Sequence, residues 1–131
     1  MMKWSLEGRI AVITGANQGL GEAIARAYVE AGANLILCAR DEEKLLTVQN
    51  QLRGLCKPNQ KVEAMRADVS NREDVERVAS RAFEAFPQIH ILVNNAGVYG
   101  PKGRIEDVDW DEWARAIEIN LLGSILVARA F

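Results

Sequence analysis

Thr14-Gly15-Ala16-Asn17-Gln18-Gly19-Leu20-Gly21 stands between a short β-branched run, Arg9 to Thr14 (RIAVIT), and a stretch from Gly19 to Gly32 carrying Leu20, Ile24, Ala27, Tyr28 and Ala31 at helical spacing. A strand that ends in glycines and runs straight into a helix is the first half of a βαβ unit. Three glycines in one turn each cost backbone entropy that a bare turn would avoid, so the turn reads as a place where something must come close to the backbone. By position, Gly15 permits the tight turn, Gly19 a close approach from outside, and Gly21 the packing of helix on strand.

Outward from that turn the alternation repeats. Asn34 to Ala39 is a second strand, and Asp41 opens a helix to about Leu55 with Glu42 and Glu43 in its first turn, where the macrodipole favours acids. Val62 to Ala67 makes a third strand after the loop Lys57-Pro58-Asn59. Ser70 and Glu73 form a capping box for a helix whose apolar face is Val75, Val78, Ala79, Ala82, Phe83 and Phe86, closed by Pro87. Ile89 to Val93 is a fourth strand, apolar enough to be buried on both faces, and His90 within it reads as a satisfied core imidazole. Beyond a loop from Gly97 to about Val108, Asp109 and Glu112 cap a helix from Trp110 to Phe131, in which Trp110 and Trp113 read as packing residues.

Four strands alternating with helices predict an α/β domain over residues 1–131, a doubly wound parallel sheet with right-handed crossovers in the order 3-2-1-4. The full version of such a fold has two halves, and this chain holds one half plus a single strand of the next, so the domain is expected to be incomplete after the last helix. Strand four would then be an unprotected edge. The last helix carries Ile117, Ile119, Leu121, Leu122, Ile125, Leu126, Val127 and Phe131, apolar nearly all round, and expects cover from later segments or a partner chain, with aggregation of the isolated chain otherwise.

The composition narrows the function classes. With 131 residues, 49% hydrophobic and 26% charged, the chain has an ordinary globular balance and neither a disordered nor a fibrous one. Sixteen basic against eighteen acidic residues, interleaved, leave no basic face for nucleic acid. Cys38 and Cys56 have no metal-ligand spacing, no metal site is expected, and both read as reduced thiols of a cytoplasmic protein. The apolar run Ile10 to Ile13 is too short for the core of a secretion signal, and no stretch is long enough to span a membrane.

A glycine turn at the start of a helix supplies what a dinucleotide pyrophosphate needs: free backbone N–H groups, and no side chains to block it. The spacing here is G-x-x-x-G-x-G rather than G-x-G-x-x-G. Together with Asn94-Asn95-Ala96-Gly97 after strand four and Asn120 within Ile119-Asn120-Leu121-Leu122-Gly123, it resembles the short-chain dehydrogenase/reductase family, whose three motifs stand in the same order. The resemblance runs from about Leu6 to Phe131. It implies a Rossmann-like fold and an oxidoreductase acting on a carbonyl or secondary alcohol, with Gly15, Asn17, Gln18, Gly19, Leu20 and Gly21 at the cofactor. Asp68, with Val69 beside it, would accept a hydrogen bond from the adenine amino group. Asn95, Ala96 and Gly97 would line the cofactor ribose and support the sheet, Thr14 would tie the first strand to that turn, and Asn120 would be the catalytic Asn that holds a helix kink and a proton-relaying water. The helix containing Asn120 commonly makes dimer contacts in that family, so a homo-oligomer of the complete protein is expected.

The nicotinamide cofactor is chosen at the end of strand two, Cys38-Ala39-Arg40-Asp41, where an acid would bind both ribose hydroxyls of NAD. Ala39 occupies that position and Arg40 can pair with a 2′-phosphate, which favours NADP(H). The competing reading gives the ribose to Asp41, which is better used as a helix N-cap. The family resemblance also implies a Tyr with a Lys four residues on. Tyr28 has Gly32 there and Tyr99 has Gly103, Lys102 being only three beyond Tyr99, so this sequence does not contain the pair. Ser124 reads as a packing residue. An alternative is therefore a catalytically inactive dinucleotide-binding or interaction module; a nucleotide-dependent enzyme of another kind, such as a methyltransferase, fits the register of the three motifs poorly.

Overall fold

The β-branched run Ile10–Thr14 forms the strand β1, and every residue in it is buried. A strand buried this fully needs a neighbour on each edge and cover on each face. The computed structural model, which describes residues 4–131, supplies them. Strand β2 (Asn34–Ala39) pairs in parallel along one edge of β1, with Ile10 opposite Asn34 and Thr14 opposite Cys38. Strand β3 (Val62–Arg66) continues outward from β2, and β4 (Ile91–Val93) takes the other edge of β1 with Val12 opposite Leu92. The order is β3-β2-β1-β4, all parallel, as the alternation predicts.

Alternate residues of β1 serve opposite faces. Ala11 and Ile13, with Leu35 and Leu37 of β2, pack against Ala25 and Val29 of helix α1 (Gly19–Glu30) and Leu45, Val48 and Leu52 of helix α2 (Glu42–Arg53). Ile10, Val12 and Ile36 face the other way, onto Ala82 and Phe86 at the end of helix α3 (Arg72–Ala85) and beyond it. Each fully buried aliphatic side chain contributes about 1.5–3 kcal/mol, so the two layers around β1 and β2 are the main source of stability.

Several expectations need correction. Helix α3 is capped by Asn71, whose side chain accepts from the Asp74 N–H, and not by Ser70. Ser70 is already committed: its hydroxyl donates to Asp68 Oδ1 at 2.6 Å. The buried stripe of α1 is Gly21, Ala25 and Val29, one position round from the expected one, and Leu20 is 69% exposed. Phe83 is partly exposed and meets Phe131 with ring centroids 5.9 Å apart. Strand β4 is shorter than expected and only half-buried, because no strand lies beyond it. His90 precedes it, is exposed, and is satisfied without being core: its Nδ1 accepts from the Ile10 N–H at 3.0 Å.

The last helical run is not uniform. Helix α4 (Trp110–Ile117), with Asp109 accepting from the Glu112 N–H, passes through a widened π-helical turn over Glu118–Gly123 into helix α5 (Ser124–Ala130). Such turns need an anchor, and here it is Asn120, whose amide bonds both backbone groups of Val98 in the loop after β4. Trp110 and Trp113 do not pack inward; both lie on the exposed face of α4. No helix among the described residues is long and apolar enough to cross a membrane.

Candidate functional site

The carboxyl ends of parallel strands are where the loops diverge and leave a crevice, and here the chain after β1 leads to α1 on one face of the sheet while the chain after β4 leads to helices that pack with α3 on the other. A cavity of about 740 Å³ opens there. Of the residues singled out from the sequence, Gly15, Asn17, Gln18, Gly19, Leu20, Arg40, Asp68, Val69, Asn95, Ala96, Gly97 and Asn120 all line it. Gly21 does not. It is buried beneath the turn, where an added Cβ would overlap the Gly15 carbonyl oxygen and stand 2.5 Å from Asn95 Nδ2.

Backbone geometry explains the other two glycines. Gly15 has φ +63° and Gly19 φ +56°, a region that costs residues with a Cβ about 1 kcal/mol or more. A Cβ on Gly19 would meet nothing within 4 Å, so the backbone there lies open to the cavity. The preceding residue, Gln18, makes no side-chain cap to α1, which leaves the first-turn N–H groups and the positive end of the helix dipole available to an anion.

Thr14 ties the turn to the motif after β4. Its buried hydroxyl accepts from the backbone N–H of Asn95 at 3.0 Å and of Ala96 at 2.9 Å, and donates to the Val93 carbonyl. Asn95 returns the link, its side-chain amide donating to the carbonyls of Thr14 and Gly15. Asn94 donates to the Ser124 carbonyl, and the Ser124 hydroxyl donates to the Asn120 carbonyl. Ser124 thus lines the cavity instead of packing away from it.

At the end of β2, Arg40 is exposed and has no ion pair among the described residues. Asp41 caps α2 by accepting from the Lys44 N–H, as expected. Lys44, which the sequence reading passed over, also lines the cavity, and its Nζ donates to Gln18 Oε1 at 3.5 Å. Cys38 lies at the cavity floor with its thiol pushed up to about 12 by burial, so it stays neutral and serves packing, and both cysteines are free.

Asp68 is half-buried at the other end. Partial burial pushes its carboxyl up, but hydrogen bonds from the side chain and backbone of Ser70 and from Arg115 outweigh that and hold it below the usual carboxylate range. Arg115 is a second residue that sequence reasoning missed, because its partner lies 47 positions away and no local spacing connects them. Neither tyrosine has a lysine at the four-residue spacing: Tyr28, on α1, packs against the core, and Tyr99 is exposed at the cavity rim with Lys102 Nζ 5.4 Å from its ring centre.

Comparison with known proteins agrees with this geometry. Residues 9–131 match the profile of the short chain dehydrogenase family. Among curated relatives, 3beta-hydroxysteroid dehydrogenase 2 of Eggerthella lenta is 38% identical over 116 residues, which is 88% of this chain and 44% of that protein. Among solved structures, a short chain dehydrogenase/reductase from Burkholderia phymatum in complex with NAD superimposes with a TM-score of 0.89 at 36% identity, covering 98% of this chain and 44% of that one. L-Sorbose reductase from Gluconobacter frateurii, complexed with NADPH and L-sorbose, gives 0.89 at 31% identity over 99% of this chain and 48% of its own. The chain spans about half the length of the relatives it matches. With the glycine turn, the Asn94–Gly97 motif and Asn120 around one crevice, on a parallel sheet that these relatives share, the chain belongs to the short-chain dehydrogenase/reductase family.

Proposed function

We propose that this chain is the N-terminal, cofactor-binding part of an NADP(H)-dependent oxidoreductase acting on a carbonyl or secondary alcohol. The observation that carries the reading is the convergence, on one cavity, of an uncapped helix start beside an open glycine, an arginine with no ion pair among the described residues and a hydrogen-bonded aspartate. Those groups fit a dinucleotide in kind. The first turn of α1 with Gly19 would hold the pyrophosphate, Arg40 the 2′-phosphate, Asp68 with Val69 the adenine, and Asn95 to Gly97 the ribose. When bound, the nicotinamide gives or takes the hydride. Related structures hold NAD in one case and NADPH in another, so the choice of NADP(H) rests on Ala39 and Arg40 alone.

The residues of this chain bind and orient; they do not provide the proton donor. Asn120 holds the π-helical turn against Val98 at the cavity wall and would position the catalytic groups. No Tyr in these 131 residues is followed by Lys four positions on, so turnover is expected of a longer polypeptide, cytoplasmic and homo-oligomeric. The same absence, with the exposed apolar face of α4 and α5, supports a second reading, an inactive module that binds dinucleotide or a partner.

The deciding experiment is the intact mass of the protein from its own cells, followed by titration of that species with NADPH and NADH. A mass well above 14.5 kDa with carbonyl-dependent oxidation of NADPH favours the enzyme, and a 14.5 kDa species that binds NADPH without turnover favours the module. Arg40→Ala is expected to weaken NADPH about tenfold and NADH hardly at all, the loss of one charged hydrogen bond. Equal weakening of both would overturn the NADP(H) assignment.

A further inference from the structure

We propose that Arg115, on α4, is a positioning residue for adenine recognition: it fixes the Asp68 carboxylate so that one acceptor position on Oδ2 remains for the exocyclic amine of the base. The inference rests on the dinucleotide reading above.

A carboxylate offers about four acceptor positions. Oδ1 of Asp68 takes two donors, the Ser70 N–H at 2.9 Å and the Ser70 hydroxyl at 2.6 Å, and has no capacity left. Oδ2 takes one, Arg115 Nη2 at 2.7 Å, and keeps one position. Asp68 lines the cavity, whereas Arg115 is not among its lining residues. Arg115 is itself held, with Nη1 donating to the Ser70 hydroxyl at 2.8 Å and to Glu118 Oε2 at 3.3 Å. The planar guanidinium thereby spans Asp68 and Ser70 together, which a point charge cannot do.

The backbone under Asp68 is fixed from the other side. Its N–H donates to Asp74 Oδ2 at 2.9 Å, Asp74 Oδ1 pairs with Arg77, and Arg77 donates to the Arg66 carbonyl at the end of β3. With the main chain held by α3 and the carboxylate by α4, the direction of the remaining lone pair is set before any ligand arrives. An ion pair as exposed as Arg115–Asp68, at 44% and 25%, contributes little to stability, so its consequence is orientation.

The test separates base recognition from general loop support. NADPH and its hypoxanthine analogue, in which the 6-amino group is replaced by a carbonyl oxygen, are titrated by intrinsic fluorescence into the natural protein and into Arg115→Ala and Arg115→Lys, with a melting curve for each. The natural protein is expected to prefer NADPH about tenfold, since the analogue sets an acceptor against an acceptor. Arg115→Ala is expected to weaken NADPH about tenfold and the analogue less than about twofold, erasing the preference. Arg115→Lys should restore part of it. If Arg115→Ala does not fold, Arg115→Gln supplies the same comparison. Equal weakening of both ligands, or an unchanged preference, would overturn the role of Arg115. A natural protein that binds NADPH but does not distinguish the two bases would overturn it too, with the dinucleotide reading intact. Binding of neither ligand would overturn that reading, and the role of Arg115 with it.

Discussion

Gly19 and Gly21 lie two positions apart and answer to different constraints. Gly21→Ala would drive a methyl group into the Gly15 carbonyl and the Asn95 amide, a backbone collision that side-chain movement cannot relieve. It is expected to cost about 3 kcal/mol in urea unfolding, the upper end of overpacking. Gly19→Ala meets no atom and should cost only about 1 kcal/mol for its positive φ, while weakening NADPH disproportionately if the pyrophosphate sits there. A second residue test is Thr14→Val, which keeps the shape but leaves the N–H groups of Asn95 and Ala96 without their acceptor. Its cost is expected at about 2 kcal/mol, and Thr14→Ser, which keeps the hydroxyl, should recover most of it. These residues were readable in the sequence because each lies within a contiguous motif. Arg115 and Lys44 were not, since what defines them is a partner far along the chain, Asp68 for one and Gln18 for the other.

Elements are decided by local pattern plus whatever competes for their ends. Asp41 and Asp109 read as caps and act as caps, because each keeps an oxygen for the N–H three residues on; the Lys44 ammonium at 3.8 Å meets the other oxygen of Asp41 and leaves its cap intact. Ser70 was identified as a cap too, but Asp68 takes its hydroxyl and the cap moves to Asn71. Asn71→Ala is accordingly expected to cost about 1 kcal/mol, and Ser70→Ala to leave the α3 cap intact while loosening Asp68. The π-helical turn has the same lesson: an apolar run from Trp110 to Phe131 reads as one helix, and the widened turn appears where Asn120 meets Val98, 22 residues back. The junction of β3, α3 and α4 has an acid dependence whose sign is fixed. The Asp74 carboxyl is lowered by the Asp68 N–H and Arg77, against a smaller opposing effect of burial, and Asp68 is lowered as described. Both titrate lower folded than unfolded, so their support is complete above the usual aspartate range and is lost as the pH falls through the lowered values. The thermal midpoint should fall as the pH drops below the usual aspartate range, and do so less steeply in Asp74→Asn.

At the scale of the whole molecule, the sheet is well covered and one surface is not. Trp110, Trp113, Ile117, Leu121 and Ile125 follow one another at intervals of three and four along α4, the π-helical turn and α5, forming a stripe on one side of the run. All are exposed, from 39% at Trp113 to 79% at Trp110, and β4 at the sheet edge is only half-buried. This much was visible in the sequence as a helix apolar nearly all round; which residues face inward was not, because Ile119, Gly123 and Val127 are selected by their contacts with the β3–α3 loop and α3. An apolar stripe of this length is costly to hydrate, so the 131-residue chain is expected to self-associate at micromolar concentration, read as a sedimentation coefficient above that of a 14.5 kDa monomer. Leu121→Glu with Ile125→Glu places two charges at the centre of the stripe and should return the chain to the monomer without lowering its thermal midpoint by more than about 1 kcal/mol equivalent, since neither side chain is core. If the doubly substituted chain still associates, the contact lies elsewhere, and the open sheet edges at β3 and β4 are surfaces with unpaired backbone groups to offer.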